Sequence, residues 1–129
     1  MKVMIHFKKY GVKSSNHKLF LKFISFLQSN LPLENNLSIL FISEREGKMT
    51  TGSRTDNNEL YILSKNRLIR DIFRTLAHEW VHEYQMTILG REKGSAIGGR
   101  NEDEANAYAG RLVKMFEKEY PNIENKMYE

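Results

Sequence analysis

His78-Glu79-Trp80-Val81-His82 lies inside a stretch, residues 64–90, whose apolar residues recur at helical steps. Ile69, Ile72, Phe73, Leu76, Ala77, Trp80, Tyr84 and Ile88 fall three or four apart and make one broad apolar stripe. Ser64 or Asn66 offers a cap, and Gly90 a stop. The spacing therefore predicts an amphipathic helix. On it His78 and His82 stand one turn apart, away from the stripe, on the side of Asp71, Thr75 and Gln85. Two imidazoles so placed can reach one Zn²⁺ at about 2.0–2.1 Å each. Glu79 is too close to His78 to share the ligation comfortably, and is placed to take a proton from a water activated by the metal.

A catalytic zinc site needs a third protein ligand. The other two histidines, His6 and His17, are far upstream, and the chain has no Cys. A downstream carboxylate is the expected donor. Residues 100–109 open a second periodic segment, whose apolar face is Ala105, Tyr108, Ala109, Leu112, Met115 and Phe116. Glu102 lies at one edge of that face, beside Asn106 and Val113. Asp103 points outward and Glu104 lies on the opposite shoulder, where each can serve as helix N-terminal charge. The expected metal set is His78, His82 and Glu102, with Asn106 one turn on as a supporting hydrogen-bond partner.

H-E-x-x-H followed some twenty residues later by a helical E-x-x-x-[DN] resembles the gluzincin branch of zinc peptidases. Glu102-Asp103-Glu104-Ala105-Asn106-Ala107-Tyr108-Ala109 resembles the E-x-E-A-[ND]-x-[FY]-A signature of the ImmA/IrrE-like family. The resemblance covers about half the chain. It implies His78, His82 and Glu102 as zinc ligands, Glu79 as general base, and Asn106 as support for a ligating histidine. Trp80 and Val81 depart from the smaller residues common inside that family's motif. The continuation through Gln85 resembles the H-E-x-V-H-x-x-Q form of other small and phage-borne zincins. The chain has no room for a separate helix-turn-helix domain.

The 129 residues carry a net charge of +4 and no Cys. One domain spanning 1–129 is expected, with no disulfide framework and no thiolate metal site. No signal peptide or membrane span is evident, which fits the cytoplasm. The basic residues are scattered, so the expected partner is a protein or peptide substrate, with weak grounds for nucleic acid and none for a membrane.

Val3, Ile5 and Phe7 alternate as a short strand, and Leu19, Phe20, Phe23, Ile24, Phe26 and Leu27 recur as a helix. Residues 37–42 read as an inner strand, and 44–47 as a turn. Residues 49–54 read as a more polar strand, and 59–63 as a further strand. A Gly-rich flexible loop is expected over 91–100, and a loose tail beyond Pro121. The order predicts an α+β, zincin-like minimal gluzincin: a small, mostly antiparallel sheet packed on the motif helix, with an N-terminal helix and a C-terminal ligand helix. Strand 49–54 would be the sheet edge above the metal, where Gly52, Ser53 and the threonines let an extended peptide approach.

The chemistry expected is peptide-bond hydrolysis, as an endopeptidase. Tyr61, Tyr84, Tyr108 and Arg100 are the candidates for stabilising an oxyanion. A rival reading is an inactive, zinc-stabilised binding or regulatory module, against which intact Glu79 speaks. A nucleic-acid-associated zincin of the SprT type would need a third His after His82, and none follows.

Overall fold

Alternating apolar positions in four short segments build one sheet. A computed structural model describes residues 2–7, 12–45, 49–91 and 99–129. Val3–His6 (β1), Leu37–Ile42 (β2), Gly52–Thr55 (β3) and Glu59–Leu63 (β4) lie in the order β1-β2-β4-β3. The sheet is mixed rather than mostly antiparallel: β1–β2 and β2–β4 are parallel, and β3–β4 is the antiparallel pair. The physical reason is the connection. The helix His17–Asn30 (α1) carries the chain from β1 back to the start of β2, so the two strands run the same way. The turn at 56–58, with Asn58 at φ 59°, reverses β3 into β4, and β4 rather than β3 settles beside β2. β3 is thereby left as an edge strand. It begins at Gly52, three residues later than the sequence suggests.

Leu37, Ile39 and Phe41 of β2 and Leu60 and Ile62 of β4 are buried on one face. The helix Ile69–Thr87 (α2) packs against β3 and β4, and Arg100–Glu119 (α3) packs on α2. Phenylalanines fix the depth of α2 in this stack. Phe20 of α1 meets Phe41 edge-on at 5.1 Å and Phe73 at 4.9 Å. Phe23 stacks on Phe73 at 4.3 Å and meets Phe116 of α3 edge-on at 5.0 Å. Such pairs contribute about 0.5–1.5 kcal/mol each beyond their burial. Trp80, the first variable residue of the histidine motif, is fully buried and donates its Nε1–H to the Leu31 carbonyl at 2.9 Å. That bond ties α2 to the end of α1 on the side of α2 away from the two histidines.

The ends of α2 differ from expectation at one terminus. Neither Ser64 nor Asn66 caps it: Ser64 hydrogen-bonds Ile42 O, and Asn66 sits at φ 59°. The first helical residue, Ile69, instead donates its N–H to Glu129 O at 2.9 Å. The tail is accordingly tied down rather than loose, with Met127 of the short helix Glu124–Met127 (α4) fully buried. At the other terminus Gly90 takes φ +65°, and the chain folds back so that Arg91 N–H reaches Gln85 O at 2.9 Å. On α3 the buried stripe is Ala105, Ala109, Leu112, Val113 and Phe116. It is rotated toward Val113 relative to the expected face, leaving Met115 at the surface. Most of the expected loop over 91–100, and part of the turn at 44–47, fall outside the described residues. Among the described residues no helix is long and apolar enough to cross a membrane.

Candidate metal centre

α2 and α3 lie close enough for Glu102, in the first turn of α3, to face both motif histidines. His78 Nε2 is 3.0 Å from Glu102 Oε1, and His82 Nε2 is 3.0 Å from Glu102 Oε2. The two Nε2 atoms are 3.1 Å apart. Ligands at about 2.0–2.1 Å around a tetrahedral ion stand about 3.3 Å from each other, so the spacing is that of a coordination set. His78, Glu79 and His82 also form a group that could hold a metal ion, each offering one ligand atom within 4.8 Å of the others. Glu102 and Glu79 therefore both stand within reach of an ion held by the two histidines, Glu102 through contacts of 3.0 Å.

The proton inventory at His82 fits a cation. Gln85, fully buried, donates its amide N–H to Asn101 O and to Glu104 Oε1, both at 3.0 Å. Those two acceptors fix the amide orientation, so Gln85 Oε1 is the atom facing His82 Nδ1 at 2.9 Å. His82 Nδ1 must therefore carry the proton, which leaves Nε2 with a lone pair in the neutral ring. That lone pair points at a carboxylate oxygen and a second imidazole nitrogen. A positive ion between them relieves the repulsion, and zinc suits two imidazoles and a carboxylate.

His78 is held low in pKa by burial, partly offset by Glu102. Burial thus favours its neutral imidazole, the form that ligation requires. Asn106 hydrogen-bonds the His78 ring, matching the supporting place that the sequence suggests for it. Glu104 does more than complement a helix end. It accepts from Gln85 and, at 2.7 Å, from Arg91, and these bonds lower its pKa. The chain Arg91–Glu104–Gln85–His82 was not read from the sequence, although Gln85 three residues after His82 shares its helix face.

Glu79 is 6% exposed. Burial pushes its carboxyl up to about 7, with His82 and Arg54 pulling down and Glu102 pushing up. β3 crosses directly over it: a Cβ on Gly52 would stand 2.6 Å from Thr75 Cγ2 and 3.0 Å from Glu79 Cγ. The missing side chain at Gly52 therefore serves the close approach of β3 to α2. Arg54 pins the same strand through two bonds, at 2.8 and 2.9 Å, to Oε1 of the buried Glu83. Nothing in the local sequence around either residue points to this pair.

A cleft of ≈ 450 Å³ opens between β3, α2 and α3. His78, Glu79, His82 and Glu102 line its centre, and Thr50, Thr51 and Gly52 one wall. Leu63 N–H donates to Thr51 O at 2.8 Å. By strand alternation the N–H and C=O of Gly52 then face the open edge of the sheet. Tyr61, Tyr84, Tyr108 and Arg100 do not line the cleft, whereas Arg67 and Arg74 do. Arg67 is engaged by Leu63 O, Asp71 O and Thr75 Oγ1.

The chain matches no protein-family model, and neither a curated protein nor a solved structure matches it.

Proposed function

We propose that this chain is a zinc-dependent peptidase of the gluzincin type, with His78, His82 and Glu102 as ligands and Glu79 as general base. The observation that carries the reading is the convergence of His78 Nε2, His82 Nε2 and Glu102 within 3.0–3.1 Å, with His82 held as the tautomer that offers its lone pair. When bound, zinc supplies a Lewis acid that acidifies water and polarises a carbonyl. Glu79 supplies the proton traffic: a carboxyl with a pKa of about 7 can accept a proton from water and return it to a leaving amine at neutral pH. Arg54, pinned to Glu83, keeps β3 over Glu79 and excludes solvent from that side. The outward N–H and C=O of Gly52 favour an extended polypeptide, laid along β3 as an added strand.

A proteome digest compared between the wild-type protein and its Glu79→Gln form tests this. The substitution keeps shape and removes the base. We expect cleavage to fall at least 10²–10⁴-fold, with zinc retained, and the cleaved bonds to lie in extended segments. Undiminished cleavage by Glu79→Gln would contradict the assignment, and cuts inside intact helices would contradict strand addition.

A further inference from the structure

Beside the cleft runs a second depression, of ≈ 500 Å³, along the outer face of α3. Among the described residues Arg74, Arg111, Lys114 and Lys118 line it, and no acidic residue does. Arg111, Lys114 and Lys118 stand three and four residues apart, so all three project from one helix face. Like charges at this spacing repel one another along a helix. Among the described residues Arg74, Lys114 and Lys118 have no ion-pair partner, and Arg111 lies over the Tyr108 ring. Glu117, between them in sequence, is taken by Arg70 at 3.2 Å. Lys118 can complement the C-terminus of α3, but Arg111 and Lys114 sit too far inside the helix for that role.

The groove is continuous with the cleft. Arg74 and Asn106 line both, and Arg74 Nη2 lies 3.9 Å from where a Cβ on Gly110 would stand, at the junction of α2 and α3. A polypeptide held across the metal centre could therefore continue past Arg74 onto four cations.

We propose that this groove binds an acidic stretch of the polypeptide substrate, beginning a few residues from the bond that is cut. The proposal rests on the peptidase reading above and adds the substrate's charge. Its complementarity is local: the net charge of +4 would not by itself select an acidic partner, whereas four cations along one groove do so by position.

The test is a binding titration in the Glu79→Gln protein, which leaves hydrolysis out of the readout. The probes are a fluorescein-labelled peptide carrying a run of Glu, the same peptide with Gln in place of Glu, and a labelled single-stranded oligonucleotide of similar length. The acidic peptide should bind at least ten-fold more tightly than the Gln peptide, with affinity falling as salt rises. Arg111→Glu/Lys114→Glu/Lys118→Glu should weaken it at least ten-fold and leave one bound zinc per chain. The milder Lys114→Gln/Lys118→Gln pair should weaken it several-fold, which covers any loss of fold in the triple variant. Equal binding of the two peptides overturns the proposal, as does an unchanged affinity in both variants. Tighter binding of the oligonucleotide through the same three residues also overturns it, making the groove a nucleic-acid surface. Wild-type protein that cleaves nothing would remove the peptidase reading, while the groove stands or falls on the titration alone.

Discussion

α2 buries an apolar set, Phe73, Leu76 and Trp80, against α1, the sheet and α3, and a polar set, Glu79, Glu83 and Gln85, nearly as deeply. The two sets share a helix, but they hold together by different rules. On the apolar side the interaction is dispersion and area, and each ring has several interchangeable neighbours. On the polar side each group depends on named partners: Glu83 on Arg54, and Gln85 on His82, Asn101 and Glu104. Glu79 instead lies under Gly52 of β3 with its carboxyl pKa raised by burial. The apolar side should therefore set whether the chain folds, and the polar side what the folded chain can bind.

The largest effect expected from breaking this contrast is on the apolar side. Trp80→Ala removes a fully buried indole and its bond to Leu31 O. It should lower unfolding free energy by about 3–5 kcal/mol, read by urea denaturation. Zinc binding should survive wherever the variant is still folded, because the histidines lie on the other side. A variant that folds normally but loses zinc would merge the two sets.

Glu79 is the next test. With zinc removed by chelation, its folded-state pKa of about 7 stands above the ordinary 4.5. The folded protein then binds more protons than the unfolded one between those values, so stability falls as pH rises from about 4.5 to 7. Glu79→Gln removes that slope. The variant should match wild type near pH 4.5 and exceed it by on the order of 2–3 kcal/mol above pH 7. His78, whose pKa is lowered, costs both proteins stability in acid and cancels in the difference. Parallel curves across the whole range would show that burial does not raise the Glu79 carboxyl.

The smallest effect sharpens the account. Gln85→Leu keeps the volume and removes the group that fixes the His82 tautomer. Zinc affinity should fall about 10–100-fold with the fold retained, whereas Glu104→Ala should cost less, since Gln85 keeps Asn101 O. Equal zinc affinity in Gln85→Leu would mean that His82 needs no orienting partner.

How far the sequence reached follows the same division. The 3.6-residue period exposes helix faces locally, so α2, α3 and the neighbourhood of His78, His82, Glu102 and Asn106 could be read from spacing. The parallel pairing of β1, β2 and β4 could not, because strand neighbours are chosen by a crossover helix and not by the strands' own pattern. Arg54 and Glu83 lie 29 residues apart, and nothing in either local sequence names the other. Even the rotation of α3 that buries Val113 and exposes Met115 depends on which neighbour it meets. The tail followed the same rule: Met127 and Glu129 are held by α2, a contact that composition does not announce.

The central claim is a single metal held by two helices. Metal analysis of purified protein, with zinc titration of the wild type, His82→Ala, Glu102→Ala and Glu104→Ala, tests it most directly. One Zn²⁺ per chain is expected in the wild type and in Glu104→Ala, and loss of most zinc in His82→Ala and Glu102→Ala. A wild-type protein that takes up no stoichiometric zinc would contradict it, as would a Glu102→Ala protein that binds zinc as tightly as wild type.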